Sequence, residues 1–129
     1  MYNNKKVVVV LPAYNAAKTL EKTINEIPRD LVDELILCDD ASSDETFELA
    51  KHLKVDQVLR HDRNKGYGAN QKTLYNKALS GGAGIVIMLH PDYQYTPMLI
   101  PSMVNIIGKD IFPVVLASRI LGKGALRGG

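Results

Sequence analysis

Cysteine is nearly absent: the 129-residue chain has one, Cys38. A lone cysteine forms no internal disulfide and no Cys-based zinc site, so a stapled secreted scaffold is excluded and a reducing cytosol is expected. A dominant charge is missing as well. Sixteen Lys and Arg stand against fourteen Asp and Glu, a formal charge of +2 with no long same-sign run, unlike the concentrated basic footprint of a nucleic-acid binder. No nucleic-acid partner is expected. Long apolar runs are also missing. Val7 to Leu11 and Ile85 to Leu89 are strand-sized, too short to span a bilayer, and Met1-Tyr2-Asn3-Asn4 lacks the form of a signal peptide. There is no internal repeat and no low-complexity linker. With 46% hydrophobic and 23% charged residues, the length suits one domain burying roughly two thirds of its unfolded surface.

What is present is alternation of two periodicities. The β-branched run from Lys6 to Leu11, stopped by Pro12, has the pattern of a strand covered on both faces. Ala16 to Ile27 sets Leu20, Ile24 and Ile27 at helical spacing and closes at Pro28; Glu34 to Asp39 reads as a second buried strand. Ser42 and Glu45 form a capping-box pair that opens a helix through about Leu53. Gln57 to His61 is a short third strand, Asp62 to Gly68 a loop, Ala69 to Leu79 a helix, and Gly84 to Leu89 a fourth buried strand. Met98 to Ile107 is expected to be helical, Pro113 to Ala117 extended, and Gly122 to Gly129 a loop. Strands alternating with helices predict βαβ units: an α/β, three-layer α/β/α fold with a mostly parallel, Rossmann-like sheet.

In such sheets ligands bind outside the carboxyl ends of the strands. Polar residues gather there: Pro12-Ala13-Tyr14-Asn15 after the first strand, Asp39-Asp40-Ala41-Ser42 after the second, and His90-Pro91-Asp92-Tyr93-Gln94 after the fourth. Asp39 and Asp40 either cap backbone amides locally or accept hydrogen bonds from a base N–H or a ribose hydroxyl. Tyr14 and Asn15 are either loop filler and helix cap or, beside those carboxylates, part of a nucleobase pocket. His90, Asp92 and Gln94 alternate, so on an extended chain their side chains point the same way, around one cation. Asp92 and Gln94 offer oxygens suited to Mg²⁺ or Mn²⁺, and His90 a nitrogen that leans toward Mn²⁺. The competing reading is a strand-end turn before Pro97 in which His90 packs or hydrogen-bonds.

Gly66-Tyr67-Gly68 imitates a dinucleotide fingerprint but fails it, because Gln71 stands where the third glycine belongs and the loop follows the third strand. A Rossmann oxidoreductase is disfavoured accordingly. The glycines instead suit close backbone approach or positive φ. Lys65 and Lys72 flank this loop and are either solvated or turned to phosphate. Cys38 reads as a small core residue, and His52 and His61 carry no readable chemistry. Arg119 follows the last extended run near Gly122 and Gly124 and is suited to gripping a diphosphate.

Five segments, in order, resemble the family 2 glycosyltransferases of the GT-A fold, particularly the branch that includes dolichol-phosphate mannose synthases: VVVVLPAYNAAKTLEKTI, LILCDDASSDET, NKGYGANQKTLYNKAL, IVIMLHPDYQYTP and LASRILGKG. The resemblance implies that Pro12, Ala13, Tyr14 and Asp40 line a nucleotide pocket with Asp39 supporting it, and that Asn15 and Lys72 belong to the same binding set. The family's DxD, extended by a Gln, falls on His90, Asp92 and Gln94, implying a site for Mn²⁺ or Mg²⁺; Arg119 would contact phosphate. The partners implied are a UDP- or GDP-linked sugar and a polyprenyl-phosphate or glycan acceptor, in a cytoplasmic enzyme peripheral at the inner membrane face. Two departures stand out. His90 replaces the first Asp of the DxD, removing one negative charge and adding a pH-sensitive ligand. The family's general base and acceptor-binding half lie beyond the Ser-Arg segment, so the chain is expected to be one domain cut before that half, with no catalytic base of its own and apolar surface that favours self-association. The rival reading is a nucleotide-sugar-binding module without catalysis.

Overall fold

The computed structural model describes residues 1–116. Arg119 and the Gly122–Gly129 segment therefore lie outside the described residues.

Four strands, β1 (Val7–Ala13), β2 (Glu34–Asp39), β3 (Gln57–Arg60) and β4 (Ile85–Met88), form one all-parallel sheet in the order β3-β2-β1-β4. The helices are α1 (Ala17–Asn25), α2 (Thr46–His52), α3 (Tyr67–Ser80) and α4 (Ile100–Gly108), the last preceded by a 3-10 turn, Pro97–Leu99. The alternation along β1 explains the layering. Val7, Val9, Leu11 and Ala13 point to one face and pack with Leu20 and Ile24 of α1, Ala50 of α2, and Ile100 and Val104 of α4. Val8 and Val10 point to the other, where Ile36 and Cys38 of β2 join Leu74 and Ala78 of α3. A strand covered on both faces has no polar side, and all seven residues of β1 are buried. The expected α/β fold with helices on both faces is the one observed.

The boundaries differ where side chains or turns intervene. Pro12 does not stop β1, which runs on to Ala13. Leu89 N–H donates to Val10 O at 2.9 Å. The next rung of a parallel ladder would run from the amide of residue 12 to Leu89 O, and proline has no amide. Pro12 thus ends the pairing with β4, which stops at Val10–Met88, while the pairing with β2 continues through Ala13–Asp39. The capping box does not form. Ser42 is taken by Asp39, which accepts from both its N–H and its hydroxyl, and α2 begins at Thr46, whose N–H and hydroxyl bond the Asp44 carboxylate instead. Helix α3 begins two residues earlier than its apolar pattern predicts, because Gly66, at φ +90°, takes the N-cap position. Residues 113–116 pair into no strand, with Val114 and Leu116 largely exposed, and Ala117 lies outside the described residues.

Candidate functional site

The sheet leaves β1 toward β2 on one side and returns to β4 on the other, so the chain reverses direction at β1. A crevice forms outside the strand ends at such a switch point. The loops that bound it are fixed by backbone bonds just past each strand: Asp40 N–H to Ala13 O and His61 N–H to Asp39 O, both 2.9 Å. A cleft of about 170 Å³ lies outside the ends of β1 and β2, lined by Pro12, Ala13, Tyr14, Asp40, Asn64, Gly66, Tyr67 and Asn70. Four of the residues singled out in the sequence, Pro12, Ala13, Tyr14 and Asp40, meet in it. Tyr14 forms the lip at 55% exposure, and Asp40 lies at the back at 3%.

Asp40 is an organising residue. Its Oδ1 accepts from the Lys65 amide at 2.9 Å and lies 2.8 Å from His61 Nδ1; its Oδ2 accepts from the Gly66 amide at 2.9 Å. Burial pushes this carboxyl up, but the Lys65 amide, the His61 ring and the Gly66 amide together outweigh it and hold it below the usual carboxylate range. A carboxylate only accepts, so His61 donates from Nδ1; its Nε2 meets Thr73 Oγ1 on α3 at 2.9 Å. His61, which carried no readable chemistry in the sequence, thus braces the wall of the cleft. The available signal was position: it follows β3 as Asp40 follows β2.

Asp39 is fully buried and supports the neighbouring loop, binding Ser42 and lying 3.3 Å from Arg60 Nε. Asn15, at φ +50°, accepts from the Ser43 N–H at 2.9 Å and from its hydroxyl, clamping the β1–α1 loop to the β2–α2 loop rather than lining the cleft. Lys72 is exposed on α3 and lines neither cavity described here. Asn64, Tyr67 and Asn70 were not singled out individually; all belong to the loop and first turns of α3 that Asp40 and Gly66 position.

Past β4 the chain turns instead of staying extended. Pro91 O accepts from Thr19 and Thr23 of α1, Tyr93 at φ +64° hydrogen-bonds Glu26, and Lys22 Nζ sits 4.0 Å above the Tyr93 ring. The expectation that alternation would point His90, Asp92 and Gln94 the same way fails for that reason. His90 stacks on Tyr67, centroids 5.3 Å apart, and its Nε2 lies 2.9 Å from the Tyr67 hydroxyl. Asp92 Oδ1 accepts the Gln94 N–H at 3.1 Å, an Asx turn that leaves both side chains exposed. Among the described residues no three His, Cys, Asp or Glu side chains gather as a metal cluster. The donor chemistry still suits a hard cation. Asp92 Oδ2 and the Gln94 amide oxygen bond to no described residue, and a divalent ion that keeps several outside oxygens needs few from the protein.

Tyr67 separates the cleft from a larger, mainly apolar groove of about 440 Å³ beside β4 that His90, Met88, Tyr95 and Met103 help to line. Burial pushes the Tyr67 hydroxyl up.

Residues 8–127 match the family model described as Glycosyl transferase family 2. The chain belongs to this family. It is 28% identical over 133 residues to a UDP-N-acetylglucosamine–dolichyl-phosphate N-acetylglucosaminyltransferase of Methanococcus voltae, a match covering 91% of this chain and 53% of that protein. It is 29% identical over 114 residues to a dolichol-phosphate mannosyltransferase of Pyrococcus furiosus, covering 82% of this chain and 32% of the other. The chain thus spans about half or less of these family 2 relatives. The GT-A fold is supported by glucosyl-3-phosphoglycerate synthase from Mycobacterium tuberculosis, solved with Mn²⁺, UDP and glucosyl-3-phosphoglycerate. That structure matches at a TM-score of 0.67 and 27% identity, over 81% of this chain and 40% of that one.

Proposed function

We propose that this chain is the donor-binding part of a glycosyltransferase that moves a sugar from a nucleoside diphosphate to a lipid-phosphate or polysaccharide acceptor. The observation that carries the reading is the convergence of Pro12, Ala13, Tyr14 and Asp40 on one cleft outside the carboxyl ends of β1 and β2, where the nucleotide would enter. The relatives' names support UDP and dolichyl phosphate as donor and acceptor chemistries, and GDP is the alternative base.

The chain's own residues then divide the work. Asp40 and His61 fix the turn at Lys65–Gly66 that walls the nucleotide, and Tyr14 covers it from the lip. Asp92 and Gln94, with His90 beside them, would hold Mn²⁺ or Mg²⁺ against the diphosphate. Bound there, the cation neutralises charge on the departing nucleoside diphosphate. Arg119 would contact phosphate. A lipid-phosphate acceptor would bring the protein to the cytoplasmic face of a membrane peripherally; no helix among the described residues is long and apolar enough to cross one.

A second reading is a nucleotide-sugar-binding module without turnover. It is favoured by His90, which stands in place of an acidic residue and is already engaged by Tyr67. Calorimetric titration with UDP and GDP, each with Mn²⁺, Mg²⁺ or chelator, tests the donor site. Metal-dependent binding of one nucleotide is expected; no binding to this chain or to a longer one continuing past residue 129 refutes it. Sugar transfer by the longer protein separates the enzyme from the module.

A further inference from the structure

The residues that follow His90 alternate between held and free. Pro91 is buried and Tyr93 half-buried, while Asp92 and Gln94 are exposed. Residues 91 and 93 are held by one face of α1 and its C-cap: Thr19, Lys22, Thr23 and Glu26, spaced i, i+3, i+4 and i+7. One hydroxyl proton each separates the two threonines. Thr23 has a partner on its own helix, Thr19 O at 2.9 Å, nearer than Pro91 O at 3.3 Å. Thr19 has no comparable alternative, since Ala16 O stands at 3.5 Å, so its proton goes to Pro91 O. Two residues on, Tyr93 is held at φ +64°, a conformation that is strained for a bulky side chain and persists only where its surroundings enforce it. Here they are the Glu26 carboxylate, which accepts from the Tyr93 hydroxyl, and Lys22 Nζ, 4.0 Å above the ring. The turn between Asp92 Oδ1 and the Gln94 amide therefore closes on a chain that is fixed on both sides of Asp92.

We infer that Thr19 and Glu26 are positioning residues for cation binding, gripping Pro91 and Tyr93 so that Asp92 and Gln94 are presented in a turn formed before the ion arrives. The inference rests on the assignment of Asp92 and Gln94 to the metal set and adds to it the part that α1 plays. Thr19 and Glu26 supply no ligand; they act through the backbone of the loop. A loop already ordered loses little conformational freedom when an ion binds, and an ungripped one loses more. Releasing the grip therefore weakens the cation and leaves the cleft between the β1 and β2 loops as it is.

The test is a ratio. Calorimetry gives the affinity for UDP and for GDP with Mn²⁺ or Mg²⁺ and with chelator, and the quotient for the nucleotide that binds is the gain due to the cation. Thr19→Val, which keeps the shape without the hydroxyl, and Glu26→Ala are each expected to cut that gain about tenfold, the scale of loss when a group that orients a metal ligand is removed. Affinity in chelator is expected to stay within about twofold of wild type, which a merely structural defect would not spare. Thr19→Ser and Glu26→Gln, which keep the donor and the acceptor, are expected to restore the gain. Where binding in chelator is too weak to detect, the loss of affinity with the cation and its rescue by Thr19→Ser read the same effect. Should Thr19→Val fail to fold by its melting curve, Tyr93→Phe releases the same grip at an exposed hydroxyl and carries the same expectation. A gain unchanged in the folded variants overturns the inference and leaves the functional reading standing, as does a loss that Thr19→Ser fails to restore. A wild-type chain that binds nucleotide equally with cation and with chelator overturns the metal set and the inference with it, and one that binds no nucleotide overturns the functional reading as a whole.

Discussion

Replacing Asp40 by alanine withdraws a single acceptor from three donors at once: the Lys65 and Gly66 amides and the His61 ring. Each buried donor left without a partner costs about 1–3 kcal/mol. The three share one site, and water entering from the adjoining cleft relieves part of the loss, so the sum is about 3–5 kcal/mol. A domain of this size has about 5–15 kcal/mol in total, so Asp40→Ala is expected to retain only a fraction of its stability. Asp40→Asn separates acceptor from shape. One amide oxygen can satisfy the pair at Oδ1 or the single donor at Oδ2, but its NH₂ must then face another N–H, at a cost of about 1–3 kcal/mol. Urea unfolding at pH 7, followed by circular dichroism, should rank wild type above Asp40→Asn above Asp40→Ala, and amide exchange at Lys65 and Gly66 should accelerate in both variants. An Asp40→Ala protein within about 0.5 kcal/mol of wild type, the range of an ordinary surface substitution, would refute the assignment of Asp40 as the organiser of this wall.

Acid should destabilise the fold through carboxylates held low in the native state: Asp33 by the N-terminal amine and the Val7 amide, Asp44 by Thr46 against the opposing effect of burial, and Asp40 as described. Because the folded-state values lie below the unfolded ones, this stability is fully present well above pH 4 and is lost as pH falls through the lowered values; a urea midpoint unchanged down to pH 2 would contradict it. Asp92→Ala removes an exposed side chain, so its melting temperature should match wild type while metal-dependent nucleotide binding disappears; unchanged binding would remove Asp92 from the metal set. His90→Asp should raise the preference for Mg²⁺ over Mn²⁺ in the same titration, and an unaltered preference would show that His90 is not a ligand. Cys38 is fully buried and its thiol is pushed up to about 11 by burial, so iodoacetamide should label it only after unfolding; rapid labelling of the native protein would contradict its place under α3.

The layers were legible because the signals for them are local. Four valines in a row state that both faces of β1 are covered, and Leu20 and Ile24 state which side of α1 turns inward. The loops obeyed contacts between distant residues. Ser42 and Glu45 have capping-box spacing, yet Asp39 reaches Ser42 first, and the helix start passes to Thr46 and Asp44. Alternation in His90-Pro91-Asp92-Tyr93-Gln94 states a common direction only while the chain is extended, and Thr19, Thr23, Lys22 and Glu26 of α1 hold it in a turn. His61 and Asn70 were silent for the same reason. Their partners, Asp40 and Cys38, lie 21 and 32 residues away, a distance that no periodicity spans.

Pro12 has a mechanical consequence. Parallel strands close like the teeth of a zip, each rung bringing the next within reach, and β1 and β4 would otherwise continue to close toward the loops that follow them. A residue without an amide is a stop sewn into the track: beyond Val10–Met88 the two strand ends are free to diverge, while Pro12 itself, Ala13 and Tyr14 face the cleft on the β2 side. The residue that appeared in the sequence to end a strand instead keeps the mouth of the sheet from closing.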